Sequence, residues 1–435
     1  MMKNKSIVIT IIIIATILTW ISANINWGGD KPKWIILADG KGYYAYLPAV
    51  FIYHDLNFGF FEKKEMPDTK EPNPFYDYRA YSNGHTINKY FCGTAVMQLP
   101  FFLAAHLIAI ISGGQSDGYA PIYPIFIQIA TIFYFILGLW LLNKLLSLYK
   151  FSKTNIIIVL IALTFGTNAF YYIIREAAMP HIYSFTLIAA YMYLSKSYFS
   201  DYKPVTVIKL SFLIGLIILV RPVNGIVILL LPFLAGSWYS FKRGFYTVFH
   251  KPLHLIAGLI LFFAITSLQL IIYKLSTGSY IIDSYSQEFF DFLHPHLIAF
   301  LFSYKKGAFL YTPLLFISLF GFYYFWKSNR NELYSLLFFL FLLSYILSSW
   351  WNWWYGGSFS SRVLIDYLPV FMVLLAAALE SIRKKIPKSI FIGLIVLLLV
   401  INQIQVYQYR YGAIHYENMD KTRYWENFLR IDKLL

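Results

Sequence analysis

Asp39 stands in Ala38-Asp39-Gly40-Lys41-Gly42, soon after an apolar run, and a carboxylate so placed can take the proton of an attacking hydroxyl as a general base. The same five residues also fit an ordinary Asx-turn ahead of a helix. Arg175-Glu176-Ala177-Ala178-Met179-Pro180-His181 joins two apolar runs, where ionisable groups are costly unless paired or used. Glu176 is therefore either one half of an Arg175–Glu176 anchor pair or a group that binds a polar substrate. His181 opens the next run and is either a satisfied polar group or a ligand-positioning one. Arg221-Pro222-Val223-Asn224-Gly225 breaks two apolar segments. The break frees backbone groups, and the forked donors of arginine suit phosphate, with an interfacial anchor as the plainer alternative.

The most distinctive stretch runs from Trp350-Trp351-Asn352-Trp353-Trp354-Tyr355 through Gly356-Gly357-Ser358 to Arg362. Aromatic density is common at membrane boundaries. A Gly-Gly turn leading to an arginine is more telling, because backbone donors and guanidinium together can grip a phosphate. Lys305 and Lys306 can add positive charge there, or belong to a solvated turn. Nothing has the spacing of a metal cage. Cys92 is the only cysteine, so neither a disulfide framework nor a cysteine metal site is available. No cofactor is expected, and a divalent cation finds no support in the spacing.

The elements that must position these residues are membrane helices. Of 435 residues 59% are hydrophobic and only 13% charged, against about 25% charged in soluble domains. Runs free of Asp, Glu, Lys and Arg lie at 6–29, 90–116, 118–143, 154–174, 177–195, 222–241, 252–273, 307–326, 333–361 and 389–409. Each approaches or exceeds the roughly 20 residues of a spanning helix. Two weaker runs, 204–220 with Lys209 and 363–382 with Asp366 and Glu380, must snorkel their charges or keep them at the ends.

The basic residues are scattered through short loops rather than gathered in a patch, so the formal charge of +15 does not point to nucleic acid. The loops around Lys144–Lys153, Lys196–Lys209, Lys242–Lys251, Lys327–Arg330 and Arg383–Lys388 are rich in Lys and Arg, which puts them in the cytoplasm. The loops of Arg175, Arg221 and Arg362 and the mixed segment 274–306 then face outward. The basic start at Lys3 and Lys5 reads as an uncleaved anchor rather than a signal peptide. Run 90–116, with Pro100 inside and Gly113-Gly114 at its end, is expected to lie on or dip into the outer face. Residues 26–120 become one long external segment, and 408–435 an external tail. The prediction is a single membrane domain, 1–435: an all-α polytopic membrane protein with about eleven transmembrane helices and interfacial helices in its first external loop. A twelfth span results if 90–116 crosses.

The order of these parts resembles the C-type membrane glycosyltransferases, especially bacterial relatives of protein O-mannosyltransferases and lipid A aminoarabinose transferases. The resemblance covers most of residues 7–385. It rests on Asp39, the Lys89-Tyr90-Phe91-Cys92-Gly93 stretch up to Pro100, His181, Arg221-Pro222 and the Trp-rich element ending in Arg362. It implies a polyprenyl-phosphate-linked sugar as donor, a lipid, glycan or protein acceptor, inversion at the anomeric carbon, and a site at the outer face of a bacterial cytoplasmic membrane. By the same resemblance Asp39 is the base. Arg362, Arg221 and Lys305 or Lys306 stabilise the leaving phosphate, electrostatic help that is often the largest catalytic contribution. Glu176 and His181 position hydroxyls.

Gly40 departs from the pattern, since many relatives have a second acidic residue there, and this speaks against a metal pair. Stretch 62–71 has no counterpart, which leaves acceptor recognition there as a guess. The tail, with Tyr424-Trp425, reads as an amphipathic lid or a surface helix. A lipid-linked sugar flippase or transporter is an alternative of the same size, although transporters place their sites near the midplane. So is a non-catalytic scaffold for envelope assembly.

Overall fold

A computed structural model describes residues 5–64, 76–82, 84–285 and 288–432; most of the 62–71 stretch lies outside them. Seven helices have the length and hydropathy of a membrane span: Lys5–Asn26, Gly93–Ile111, Ile122–Leu148, Pro252–Thr277, Arg330–Ser348, Arg362–Ser381 and Lys385–Arg410. The first illustrates the pattern of the whole. It buries Ile7, Ile11, Ile14 and Leu18, spaced three or four apart, and exposes Val8, Ile9, Ile12 and Ile13, as a helix does that meets protein on one side and lipid on the other. Arg362–Ser381 is buried almost all round and forms the axis, against which His181–Asp201, Gly321–Ser328 and Lys153–Gly166 pack.

Several expected spans are built of shorter pieces. Run 307–326 is divided into Ala308–Tyr311, Pro313–Ser318 and Gly321–Ser328. Pro313 disfavours helical backbone before it, and a Cβ at Gly321 would stand 2.0 Å from the Leu374 carbonyl oxygen, so only glycine lets that piece approach the axis. Run 222–241 ends at Ala235, where Gly236 takes φ 76°, and Trp238–Phe249 leaves at 120° to the segment before it.

Gly93–Ile111 is long enough to cross and runs antiparallel along Ile122–Leu148, its Met97 carbonyl accepting from Tyr134 Oη at 2.9 Å. Gly93 abuts Leu219 and Val220 at the finish of helix Val205–Val220. His106 bonds Tyr123 Oη at 2.7 Å, and Ala109 and Ser112 lie beside Ala120–Ile122, where Ile122–Leu148 begins. At that end the segment between the first two long helices also carries helix Asp39–Pro48 and a small hairpin, Arg79–Ser82 with His85–Asn88, in register Arg79↔Asn88.

Candidate functional site

Helix Asp39–Pro48 starts directly after Ala38, whose φ of 44° and ψ of −128° belong to a region that costs a non-glycine residue energy. Gly40 in its first turn lies against Ala178; a Cβ there would be 3.0 Å from the Ala178 Cβ. A larger residue at 40 would crowd Ala178 and force the helix start and the 175–180 loop apart by a few tenths of an ångström. On the far side of the chain, Ser360 at φ 58° turns the Trp-rich loop into the 3-10 helix Arg362–Tyr367. These turns bring together residues more than three hundred positions apart: Arg362 Nη2 donates to Asp39 Oδ2 at 2.6 Å, with 14% and 18% of the side chains exposed. Asp39 is thus a partner of Arg362 rather than the cap of an Asx-turn. Burial alone would raise its carboxyl, but the Arg362 guanidinium and the neighbouring Tyr90 and Tyr76 hydroxyls outweigh burial and hold it below the usual carboxylate value.

One turn along, Asp366 is fully buried. It neither snorkels nor sits at a solvated end, as expected from sequence, because it is neutralised in place. Arg221 Nη1 donates to Asp366 Oδ2 at 2.6 Å and Asn224 Nδ2 to the same oxygen at 2.7 Å. His181 Nδ1 meets Asp366 Oδ1 at 2.8 Å; facing a carboxylate, that nitrogen carries the proton and leaves Nε2 with its lone pair. Tyr367 Oη donates to Asn224 Oδ1 at 2.9 Å, and Asn224 Nδ2 also reaches Ser184 Oγ at 3.1 Å. Within this knot His181 Nε2 is the one fully buried side-chain atom that lacks a hydrogen-bond partner among the described residues.

Glu176 does not pair with Arg175, whose Nη1 donates to Asn26 Oδ1 at 3.0 Å. It faces Arg362, Lys306 and Tyr171 instead. Burial lifts its carboxyl to about 7 against the pull of Arg362. Lys306, itself buried, donates to the Ser358 carbonyl; burial, then repulsion from Arg362, lowers its ammonium to about 7. Lys305 turns away, its Nζ 3.5 Å from the centroid of the Trp354 ring.

Asp39, Arg362, Glu176 and Lys306 therefore form one array of alternating charge, His181 and Arg221 form a second around Asp366, and Lys305 belongs to neither. The residues that sequence reading missed are Asp366, Asn224, Tyr367, Tyr76 and Tyr90. Asp366 had a signal: it lies four residues after Arg362 in an otherwise apolar run. Tyr76 and Tyr367 had none in a chain with 37 tyrosines, and Tyr90 was noted only as part of the Lys89–Gly93 stretch, without a role. Among the described residues no group of three His, Cys, Asp or Glu side chains converges on a metal position, and Asp39 and Asp366 are each occupied by a guanidinium.

No protein-family model matches the sequence, and no curated protein does. Solved structures do match in fold. The apo oligosaccharyltransferase of Archaeoglobus fulgidus is 12% identical, with a TM-score of 0.51 over 98% of this chain and 57% of its own. The same protein tethered to an acceptor peptide containing the NVT sequon is 12% identical, with a TM-score of 0.48 over 97% of this chain and 59% of its own. The chain thus spans little more than half the length of the oligosaccharyltransferase it matches. At this identity the likeness is one of fold alone, and it agrees with the C-type membrane glycosyltransferase resemblance read from the sequence.

Proposed function

We propose that this chain moves a sugar from a polyprenyl-phosphate-linked donor to an acceptor hydroxyl with inversion, at the outward end of the bundle in a bacterial cytoplasmic membrane. The observation that carries the reading is the Asp39–Arg362 contact at 2.6 Å, which sets a proton acceptor beside a phosphate-binding fork at one end of an apolar bundle. A carboxylate tied to a guanidinium is a weak base. Donor binding resolves this, because Arg362 moves from Asp39 to the phosphate, leaving Asp39 with a free lone pair and a higher pKa. The acceptor oxygen then attacks the anomeric carbon and its proton passes to Asp39. The bond from that carbon to the phosphate oxygen breaks, and polyprenyl phosphate leaves with the electron pair on that oxygen, its charge held by the Arg362 guanidinium. Lys306 adds positive charge while protonated, Arg221 lends the field of its outward donors, and His181, whose buried Nε2 has no partner among the described residues, takes a sugar hydroxyl once donor binding opens the knot to it.

Asp366, an ionisable group inside an apolar segment, would also suit a lipid-linked sugar flippase. The test must therefore detect bond formation. Purified protein in vesicles is given a radiolabelled polyprenyl-phosphoryl hexose and an envelope extract as acceptor source. The proposal expects label in a product that no longer partitions with the donor lipid. Movement of intact donor across the vesicle without a new glycoside would replace transfer by transport.

A further inference from the structure

Away from the Asp39–Arg362 array, helix Lys385–Arg410 carries an apolar groove of about 520 Å³ lined by Leu399, Val400, Gln403, Ile404 and Tyr407, with Ile431 of the tail as its opposite wall. From Leu399 to Arg410 the helix climbs about 16 Å, half a hydrocarbon core. The groove thus runs from mid-membrane to the site end of the bundle. Its wall continues through Tyr411, whose ring lies 4.6 Å from that of Tyr407.

At the mouth stand two arginines. Arg410 follows Tyr407 by three residues and is exposed, and Arg175 is near enough for the two guanidiniums to repel. Among the described residues neither Arg175 nor Arg410 forms an ion pair; Arg175 hydrogen-bonds the neutral Asn26 amide oxygen, with the Glu176 carboxyl within electrostatic reach. The next cation along, Arg430, is taken by Asp432 at 2.6 Å. Like charges converging at a membrane boundary are unfavourable unless an anion sits between them, and forked donors select phosphate.

We infer that the groove and the Arg175–Arg410 pair form a second lipid site, for an amphiphile with an apolar chain and a phosphate headgroup. Resting on the transferase reading, this amphiphile is the acceptor. Its headgroup reaches the reaction along Glu176, on which both Arg362 and Asp39 act. Arg175 adjoins Glu176, which faces Arg362, and Tyr409 beside Arg410 packs on Tyr171 at 4.9 Å and on Phe359 at 5.3 Å. Hydroxyls of a headgroup held at the arginines point into the array, while the polyprenyl donor approaches Arg362 by another path.

The test uses the full chain in phosphatidylcholine nanodiscs and reads retained phosphatidylglycerol by native mass spectrometry. Wild type is expected to keep one phosphatidylglycerol at least about tenfold more tightly than Arg410→Gln or the Arg175→Gln/Arg410→Gln pair. Val400→Trp, which fills the groove, should also release it, and protection of the buried Cys92 thiol reports that each variant is folded. Inorganic phosphate should not compete. Equal retention by the arginine variants, or displacement by inorganic phosphate alone, overturns the lipid site. Loss of polyprenyl-phosphoryl hexose binding in Arg410→Gln overturns its separation from the donor. Retention without any glycosyl transfer by wild type would sink the transferase reading and leave the lipid site standing.

Discussion

Donor affinity should fall steeply as pH rises through 7, because two groups beside Arg362 change charge in the same sense. Glu176, lifted to about 7 by burial, is neutral below that pH and an anion above it, when it competes for Arg362. Lys306, lowered to about 7 by burial, is a cation below that pH and neutral above it, when it no longer attracts phosphate. Each proton lost makes the site one charge more negative. A unit charge about 8 Å from the bound phosphate, at an effective dielectric of about 20, is worth about 2 kcal/mol, or roughly 1.5 pKa units. Linkage then weakens binding by about eightfold per group between about pH 6 and 8, and by about sixtyfold for both. The ligand should be a short-chain polyprenyl-phosphoryl hexose, a phosphodiester whose own charge is fixed across this range. Its affinity can be followed by displacement of a fluorescent polyprenyl phosphate at constant ionic strength, since exposed charges are screened by salt. Glu176→Gln and Lys306→Met should each keep only about eightfold of the effect, and the double variant should be flat. A flat wild-type profile, or tighter binding at the higher pH, refutes the placement of both groups beside the phosphate.

Asp39→Asn keeps the shape of the Arg362 partner but cannot take a proton, so turnover should drop by about 10²–10⁴-fold with donor binding intact. Arg362→Ala should instead raise the donor concentration needed, and wild-type kinetics in either variant would remove the pair from the reaction. Asp366→Ala leaves the Arg221 guanidinium buried without its carboxylate, which should cost about 3–5 kcal/mol. Heating in detergent while following Cys92 labelling measures this, and unchanged protection would mean that Asp366 is hydrated. Gly93→Ala places a Cβ 2.3 Å from the Leu219 and Val220 backbone, so helix Gly93–Ile111 must shift at about 1–3 kcal/mol. An unchanged melting curve would show that this close approach is absent.

What the sequence disclosed and what it hid follow from how each signal is written. Length and apolarity are local, so the long helices could be read directly. The Arg175–Glu176 pair was a natural guess from adjacency, yet helix–loop geometry turns neighbouring side chains apart and sends Arg175 to Asn26. Asp39 and Arg362 could be named singly from local chemistry, but their meeting depends on the whole bundle. Broken runs were harder: apolarity persists through 307–326 while Pro313 and the close contact at Gly321 divide the helix. Asp366 was visible as a charge and misjudged in its setting, because a buried carboxylate needs partners that lie 142 to 185 residues away in sequence.

The two aspartate–arginine pairs look alike in distance, each closing at 2.6 Å, and differ in what they can give up. Asp366 is sealed, and every acceptor position on it that a donor can reach is used by Arg221, Asn224 or His181. Pulling Arg221 away would strand a buried charge, a loss of several kcal/mol that no single phosphate contact exceeds. Arg221 is therefore a fixed post that holds the Arg362–Tyr367 turn and the His181 helix in register. Asp39 keeps 18% of its side chain exposed, and Arg362 has Glu176 on its other flank to steady it during a move. An exchange of partners at Arg362 is accordingly far cheaper than one at Arg221. The chain separates a rigid charge pair that sets geometry from a labile one that a substrate phosphate can open, and only in the labile pair is the carboxylate exposed to solvent.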